Sequence, residues 1–97
     1  MIKVKVNYEN NKIDNISIKG HAMYDDFGKD IVCASVSSIV ITTVNAILKV
    51  EDKSISYDDS FYLKVLKDNS VVEILLENMI SLLKELETDY PDNIKFV

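Results

Sequence analysis

The chain has 97 residues, of which 47% are apolar and 28% are charged, and it contains only two glycines and one proline. This length suits a single domain, 1–97, and the wealth of aliphatic residues excludes a disordered chain. The 11 cationic residues are all lysines and face 16 acidic residues, for a net charge of −5, which argues against a protein whose main task is binding nucleic acid.

The single cysteine, Cys33, excludes an intrachain disulfide and a cysteine-based zinc site within one chain. The first six residues alternate between apolar and charged types and lack the continuous apolar run of a signal peptide. Serines, threonines and an asparagine interrupt the most apolar segment, Ile31 to Val50, so we expect no membrane span. The sequence therefore predicts a cytoplasmic protein with no cofactor, no metal, no membrane contact and no direct nucleic-acid partner.

The chain begins with two predicted strands. Apolar residues occupy every second position of residues 2–8, which is typical of a half-buried strand. Residues 9–12 contain two asparagines, which tolerate positive φ, and are predicted to form a turn. The second strand should run to about Lys19, and Ile13 lies out of phase with its other isoleucines. This mismatch predicts a bulge or a late start of the strand.

The next segment, Asp30 to Val50, is predicted to be a helix. Its many β-branched residues favour a strand, but its polar residues recur at spacings of three, four, three and four, which is a helical period. These residues are Ser35, Ser38, Thr42, Asn45 and Lys49. Because the other faces are almost wholly apolar, we expect this helix to be central and buried on most sides.

The second half of the chain predicts a hairpin, a helix and a strand. Ser54–Asp58 and Phe61–Lys67 have the pattern of two paired strands. Ser70 to Glu73 has the spacing of a capping box, and a clear apolar stripe follows it. Pro91 ends the helix, and Ile94–Val97 is a final strand. The order ββαββαβ predicts an α+β domain in which two helices pack on an antiparallel or mixed sheet.

Residues capable of chemistry are concentrated in one short segment. It holds both glycines, Gly20 and Gly28, the only histidine, His21, and the only cysteine, Cys33. If Asp30 is the N-cap, the cysteine occupies the third helical position, where the helix dipole favours a thiolate. An imidazole beside it could act as base and then as acid toward a leaving amine, and unpaired first-turn amides could hold an oxyanion. The segment therefore has the parts of a Cys–His acyl-transfer site.

The same residues also allow a purely structural interpretation. Cys33 lies opposite the polar stripe, where a buried and inert cysteine would also lie. His21 could be a solvated or capping residue, and the two glycines could serve turns alone. Asp30 cannot easily both cap the Cys33 amide and orient His21. Ser37, one helical turn after Cys33, could hydrogen-bond in a site or to the Cys33 carbonyl.

Two stretches, Gly20–His21–Ala22 and Gly28 to Ser37, resemble the signature of the ribosomal-processing cysteine protease family, Prp. The pattern is Gly-His-Ala, a short loop, then Gly, any residue, Asp, an apolar pair, Cys, and Ser four residues later, and every position matches. The resemblance implies that Cys33 is the nucleophile and His21 the base. It further implies that Asp30 and Ser37 support the site, and that Gly20 and Gly28 are hinges of a mobile loop.

The family resemblance also implies a function and an assembly state. Members remove a short N-terminal extension from the large-subunit ribosomal protein numbered twenty-seven, and they are homodimers. We therefore expect a cofactor-free cysteine endopeptidase that acts in ribosome maturation on the precursor of that protein. One alternative is a non-catalytic ribosome-associated module, in which residues 20–33 form a recognition loop. Another is a redox-responsive protein that forms an intermolecular disulfide through Cys33.

Overall fold

The protein is described by a computed structural model that covers residues 1–20, 30–58 and 60–97. Its elements follow the predicted order ββαββαβ. They are β1 (Ile2–Glu9), β2 (Lys12–Lys19), α1 (Ile31–Val50), β3 (Ile55–Asp58), β4 (Tyr62–Val65), α2 (Ser70–Asp89) and β5 (Ile94–Phe96). The predicted α+β class is confirmed.

All five strands belong to one sheet, in the order β3-β4-β2-β1-β5. The β1–β5 pair is parallel and the other three pairs are antiparallel, so the sheet is mixed. Strand residues with buried side chains, such as Val4, Ile16 and Leu63, alternate with exposed or half-buried ones. The inward side chains form one core with residues of both helices, and the outward side chains leave the opposite face of the sheet polar.

The turn and the irregularity predicted for the first hairpin are both present. Asn10 and Asn11 have φ of 53° and 64°, a conformation that asparagine tolerates better than most residues. The register of β1 and β2 shifts beside Tyr8, which pairs with Ile13, so that Asp14 is the extra residue. This bulge restores Ile13 to the buried face, where it is 2% exposed.

Helix α1 buries one face rather than most of its surface. Six residues are buried: Val32, Val36, Val40, Thr43, Val44 and Ile47. On another face Ile31, Ile41 and Leu48 are 40–50% exposed. The prediction of a helix buried on most sides was therefore wrong, because one sheet face and α2 cover only one side of it.

The polar residues of α1 also interrupt it less than we expected. Over an 18-residue window the mean hydropathy of the helix is 2.1, and a third of that window is buried. By length and composition alone, the helix could therefore cross a membrane. The hydroxyl of Ser35 donates to the Ile31 carbonyl at 2.7 Å, and that of Thr43 to the Ile39 carbonyl at 2.8 Å. Hydroxyl groups bonded within the helix do not by themselves distinguish a membrane segment from a core helix. The buried face of α1 fits a core helix.

Helix α2 begins one residue earlier than the predicted capping box implies. Asn69 is the N-cap, and its side-chain oxygen accepts from the amides of Val71 and Val72 at 3.0 and 3.1 Å. Glu73 accepts from the amide of Ile13 on β2 at 3.3 Å. The assignment of Ser70 as cap was wrong because asparagine caps at least as well and Glu73 is used in a tertiary contact.

Candidate active site

The cysteine lies in the first turn of α1, at the position that the sequence predicts. Asp30 is the N-cap, with φ of −72° and ψ of 103°. Its Oδ1 accepts from the amide of Val32 at 2.9 Å and from that of Cys33 at 3.0 Å. Cys33 is therefore the third residue of the helix, next to the positive end of the helix dipole, which stabilises an anion.

The Cys33 side chain is half-buried and packs against the edge of the core. A cysteine that only fills core volume is normally fully buried, whereas reactive cysteines are partially exposed. The intermediate burial of Cys33 therefore fits a reactive cysteine better than one that only fills the core.

Three amides at the start of α1 are engaged in hydrogen bonds with Asp30. Those of Val32 and Cys33 donate to the Asp30 carboxylate, and that of Ala34 donates to the Asp30 carbonyl at 3.1 Å. Because the cap uses the Cys33 amide, this group is not available to an oxyanion while the cap is formed. We considered two roles for Asp30, capping the helix and orienting His21. In the described residues it caps the helix.

The Ser37 side chain lies one helical turn beyond Cys33 and is half-buried. Its hydroxyl does not bond to the Cys33 carbonyl within the described part of the chain, whereas Ser35 bonds to the carbonyl four residues before it. Of the two hydrogen bonds that the sequence leaves open for Ser37, the one to the Cys33 carbonyl is absent among the described residues. Its hydroxyl remains a candidate for contact with a substrate or with another site group.

At the other end of the segment, Gly20 follows β2 in a conformation that requires glycine. Its φ is +93°, and a Cβ built on it would lie 2.3 Å from the carbonyl oxygen of Met1. Sequence reasoning missed this contact, since no local pattern reports that Met1 packs there. The residue fixes the direction in which the chain leaves β2, immediately before His21.

The remaining predicted site residues, His21 and Gly28, lie outside the described residues. Their roles as base and hinge stay predictions. In the ranges 1–20, 30–58 and 60–97, no group of three or more His, Cys, Asp or Glu side chains could hold a metal ion.

Comparison with known proteins covers the whole chain. The sequence model of the family described as cysteine protease Prp matches residues 1–95. The ribosomal processing cysteine protease Prp of Staphylococcus aureus is 33% identical over 97% of this chain and 93% of its own length. The protein of the same name from Bacillus subtilis is 27% identical over 98% and 95%.

Solved structures agree with these relatives. The Prp protease of S. aureus in complex with a covalently linked product peptide has a TM-score of 0.90 and 30% identity, and the match covers 99% of this chain and 97% of that one. The same protease with a substrate peptide has a TM-score of 0.84 and 29% identity over 100% and 98%. SMU.848 of Streptococcus mutans matches with a TM-score of 0.82 and 25% identity over 99% and 91%.

The matches extend over nearly the full length of this chain and of each relative, and the comparisons of sequence and of structure identify the same relatives. They favour the protease reading over a non-catalytic binding module or a redox-responsive thiol protein. The chain belongs to the family of the cysteine protease Prp and is itself a cysteine protease.

Proposed function

We propose that this protein removes the N-terminal extension of the large-subunit ribosomal protein numbered twenty-seven, with Cys33 as nucleophile and His21 as general base. The observation that carries the proposal is the position of Cys33, half-buried in the first turn of α1 with its backbone fixed by Asp30. The names of the relatives support processing of a ribosomal protein. The reaction belongs in the cytoplasm, where ribosomal proteins are made.

The proposed reaction has two acyl-transfer steps. The Cys33 thiolate attacks the scissile carbonyl carbon, and the imidazolium of His21 gives its proton to the departing amine, so that the C–N bond breaks and a thioester remains. The neutral imidazole then takes a proton from water while that water attacks the thioester. The second product leaves as a carboxylic acid, and the proton returns to the Cys33–His21 pair. No cofactor enters either step.

The oxyanion formed in each step needs hydrogen-bond donors. The Cys33 amide is bonded to Asp30 at 3.0 Å, so it can donate to the oxyanion only if this bond breaks. In the proposal Asp30 therefore supports the site by holding the first turn of α1, and the Ser37 hydroxyl is a donor within one turn of the sulfur. Residues 20 and 28 would let the intervening loop close over a peptide.

The test is incubation with the ribosomal protein precursor, with its mass as the readout. Cys33→Ala and His21→Ala should leave the precursor uncut, and Cys33→Ala should still bind it. Ser81→Ala is the matched control, because Ser81 is an exposed residue of the other helix, α2, and it should cleave normally. Cleavage by Cys33→Ala at the rate of the unchanged protein would refute the nucleophile.

A second measurement separates an active thiol from an incidental one. At pH 6 a thiolate–imidazolium pair is alkylated by iodoacetamide quickly, whereas an unactivated thiol reacts slowly. We expect His21→Ala to react with iodoacetamide more slowly than the unchanged protein. If the two react equally fast, His21 is not the partner of Cys33.

The proposal includes a homodimer, and α1 offers a surface for it. The exposed apolar residues Ile31, Ala34, Ile41 and Leu48 lie at heptad positions of one helix face, with the polar Ser38 and Asn45 between them, and such a face can pack against a partner helix. A second copy of the chain presents the same stripe, so the two can pack around a twofold axis.

The dimer is tested by light scattering after size exclusion. Ile41→Glu together with Leu48→Glu places like charges on the seam and should give a monomer. Leu66→Glu is the matched control, since Leu66 is 58% exposed and lies after β4, outside the stripe on α1. A monomeric unchanged protein, or a double variant that stays dimeric, would contradict this part of the proposal.

A further inference from the structure

The outward face of the sheet carries a row of lysines. Lys95 on β5, Lys3 on β1 and Lys19 on β2 are in register across three adjacent strands, and Lys5 follows two residues along β1. All four are exposed. Neighbouring strands lie about 4.8 Å apart, so the row spans roughly 10 Å. We call these four residues the basic face.

The lysines of the basic face form no ion pair with any described residue. The pairs that the structure contains in the described ranges involve Lys12, Lys64 and Lys67. Like charges directly opposite each other on neighbouring strands destabilise a sheet. A feature that costs stability without compensation from the described residues is expected at a functional surface. The row thus indicates an anionic partner from outside the chain.

A hollow of about 820 Å³ lies on the same outward face. Two lysines of the basic face line it, together with side-chain amides and an aromatic ring that is 39% exposed. These residues are Lys5, Lys19, Asn7, Asn15 and Tyr62. The carboxylate of Asp58 lies at the β3 side of the hollow, across β4 and Tyr62 from β2.

We propose that the basic face binds single-stranded RNA, with its lysines on the phosphates and a base stacked on Tyr62. A cationic groove with an exposed aromatic ring is the combination that holds single strands. An acidic peptide would use the lysines but would offer a flat partner to the ring only where it carries an aromatic or arginine residue, whereas every nucleotide carries a base; an anionic membrane would not fill the hollow. The net charge of −5 led us to expect no nucleic-acid partner, but it averages over surfaces that the fold separates.

The test is fluorescence anisotropy with a labelled 12-nucleotide RNA of mixed sequence. Four lysine–phosphate contacts predict a slope of log K against log salt near −2.8, which is a loss of about 50-fold between 50 and 200 mM. Lys3→Gln with Lys95→Gln should reduce this loss to about 7-fold. Lys49→Gln with Lys53→Gln, which removes the same charge from the last turn of α1 and the turn after it, should keep the full slope. Tyr62→Leu should weaken binding by about 5- to 150-fold at constant salt.

Several results would overturn the inference. They are the absence of RNA binding at 50 mM salt, equal effects of the two double lysine variants, and binding of polyglutamate or phosphatidylserine vesicles as tight as that of RNA. Far-UV circular dichroism of each variant verifies that it is folded. The measurement is made on Cys33→Ala as well as on the unchanged protein. RNA binding by both would show that this surface acts independently of the proposed protease function.

Discussion

Asp30 joins the fold to the site, and its substitution should affect both. Asp30→Ala removes the acceptor of two amide hydrogen bonds, at 2.9 and 3.0 Å, and a negative charge at the N-terminus of α1. Loss of an N-cap costs about 1 kcal/mol, and loss of the charge–dipole interaction costs about 0.3–1 kcal/mol more. Together they should lower the free energy of unfolding by about 1–2 kcal/mol.

Asp30→Asn separates these two contributions. Asparagine keeps a side-chain oxygen for the amides of Val32 and Cys33 but has no charge, so it should cost only the second contribution, about 0.3–1 kcal/mol. For a domain of this size 1 kcal/mol corresponds to a Tm change of about 4–8 °C. We therefore expect a fall of roughly 4–16 °C for the alanine variant and a smaller fall for the asparagine variant.

The assay is thermal unfolding followed by circular dichroism, with the rate of peptide cleavage measured well below each Tm. Asp52→Ala is the control, because Asp52 is an exposed acidic residue in the turn after α1. If Asp30 acts through the cap, the asparagine variant should keep more activity than the alanine variant. The capping argument would be refuted if Asp30→Ala had the same Tm as the unchanged protein. It would also be refuted if the Tm of Asp30→Asn were as low as that of Asp30→Ala.

Three further predictions concern the fold. Asn69→Ala should lower the free energy of unfolding by about 1 kcal/mol and Ser70→Ala by much less, because Asn69 is the cap of α2. Urea denaturation measures both losses, and equal losses would mean that Ser70 also acts as a cap. Gly20→Ala should cost more than about 1 kcal/mol in the same assay, since its φ is +93° and a Cβ there would meet backbone, and an unchanged urea midpoint would refute this. The Lys64 ammonium bonded to Asp14 lowers the pKa of the Asp14 carboxyl. The stabilisation that the Asp14–Lys64 pair contributes is therefore fully present at pH values above the ordinary pKa of 3.8, and it is lost as the pH falls through the lowered pKa of the folded protein. Lys64→Met should therefore make stability less dependent on pH below about 4, and acid unfolding curves of unchanged steepness would contradict it.

The sequence predicted the parts of the fold that are set by local periodicity. The alternation in β1, the phase error at Ile13 and the polar period of α1 each indicate an element or an irregularity that the structure contains. The position of Cys33 followed from one capping residue and from helix geometry. These features depend on neighbours along the chain, which a single sequence displays.

Prediction from the sequence was wrong or incomplete where a residue's environment depends on segments far away along the chain. Glu73 looks like half of a capping box, but its carboxylate bonds to β2, sixty residues earlier. The exposed side of α1 has the apolar composition of a buried side. Whether such a side is buried depends on how many other elements pack against the helix, which the sequence of the helix does not show. Likewise, the lysines at positions 3, 19 and 95 become neighbours only through strand pairing.

The pairing of β1 has a consequence for how the chain is made. β1 is hydrogen-bonded to β2 on one side and to β5 on the other, and β5 is the last strand in chain order. On a translating ribosome, residues 2–4 of β1, which pair with β5, therefore have one bare edge until residues 94–96 emerge. Such an edge is a template for unwanted strand addition. A pause in translation at any point before residues 94–96 are made should thus be an aggregation hazard for this protein.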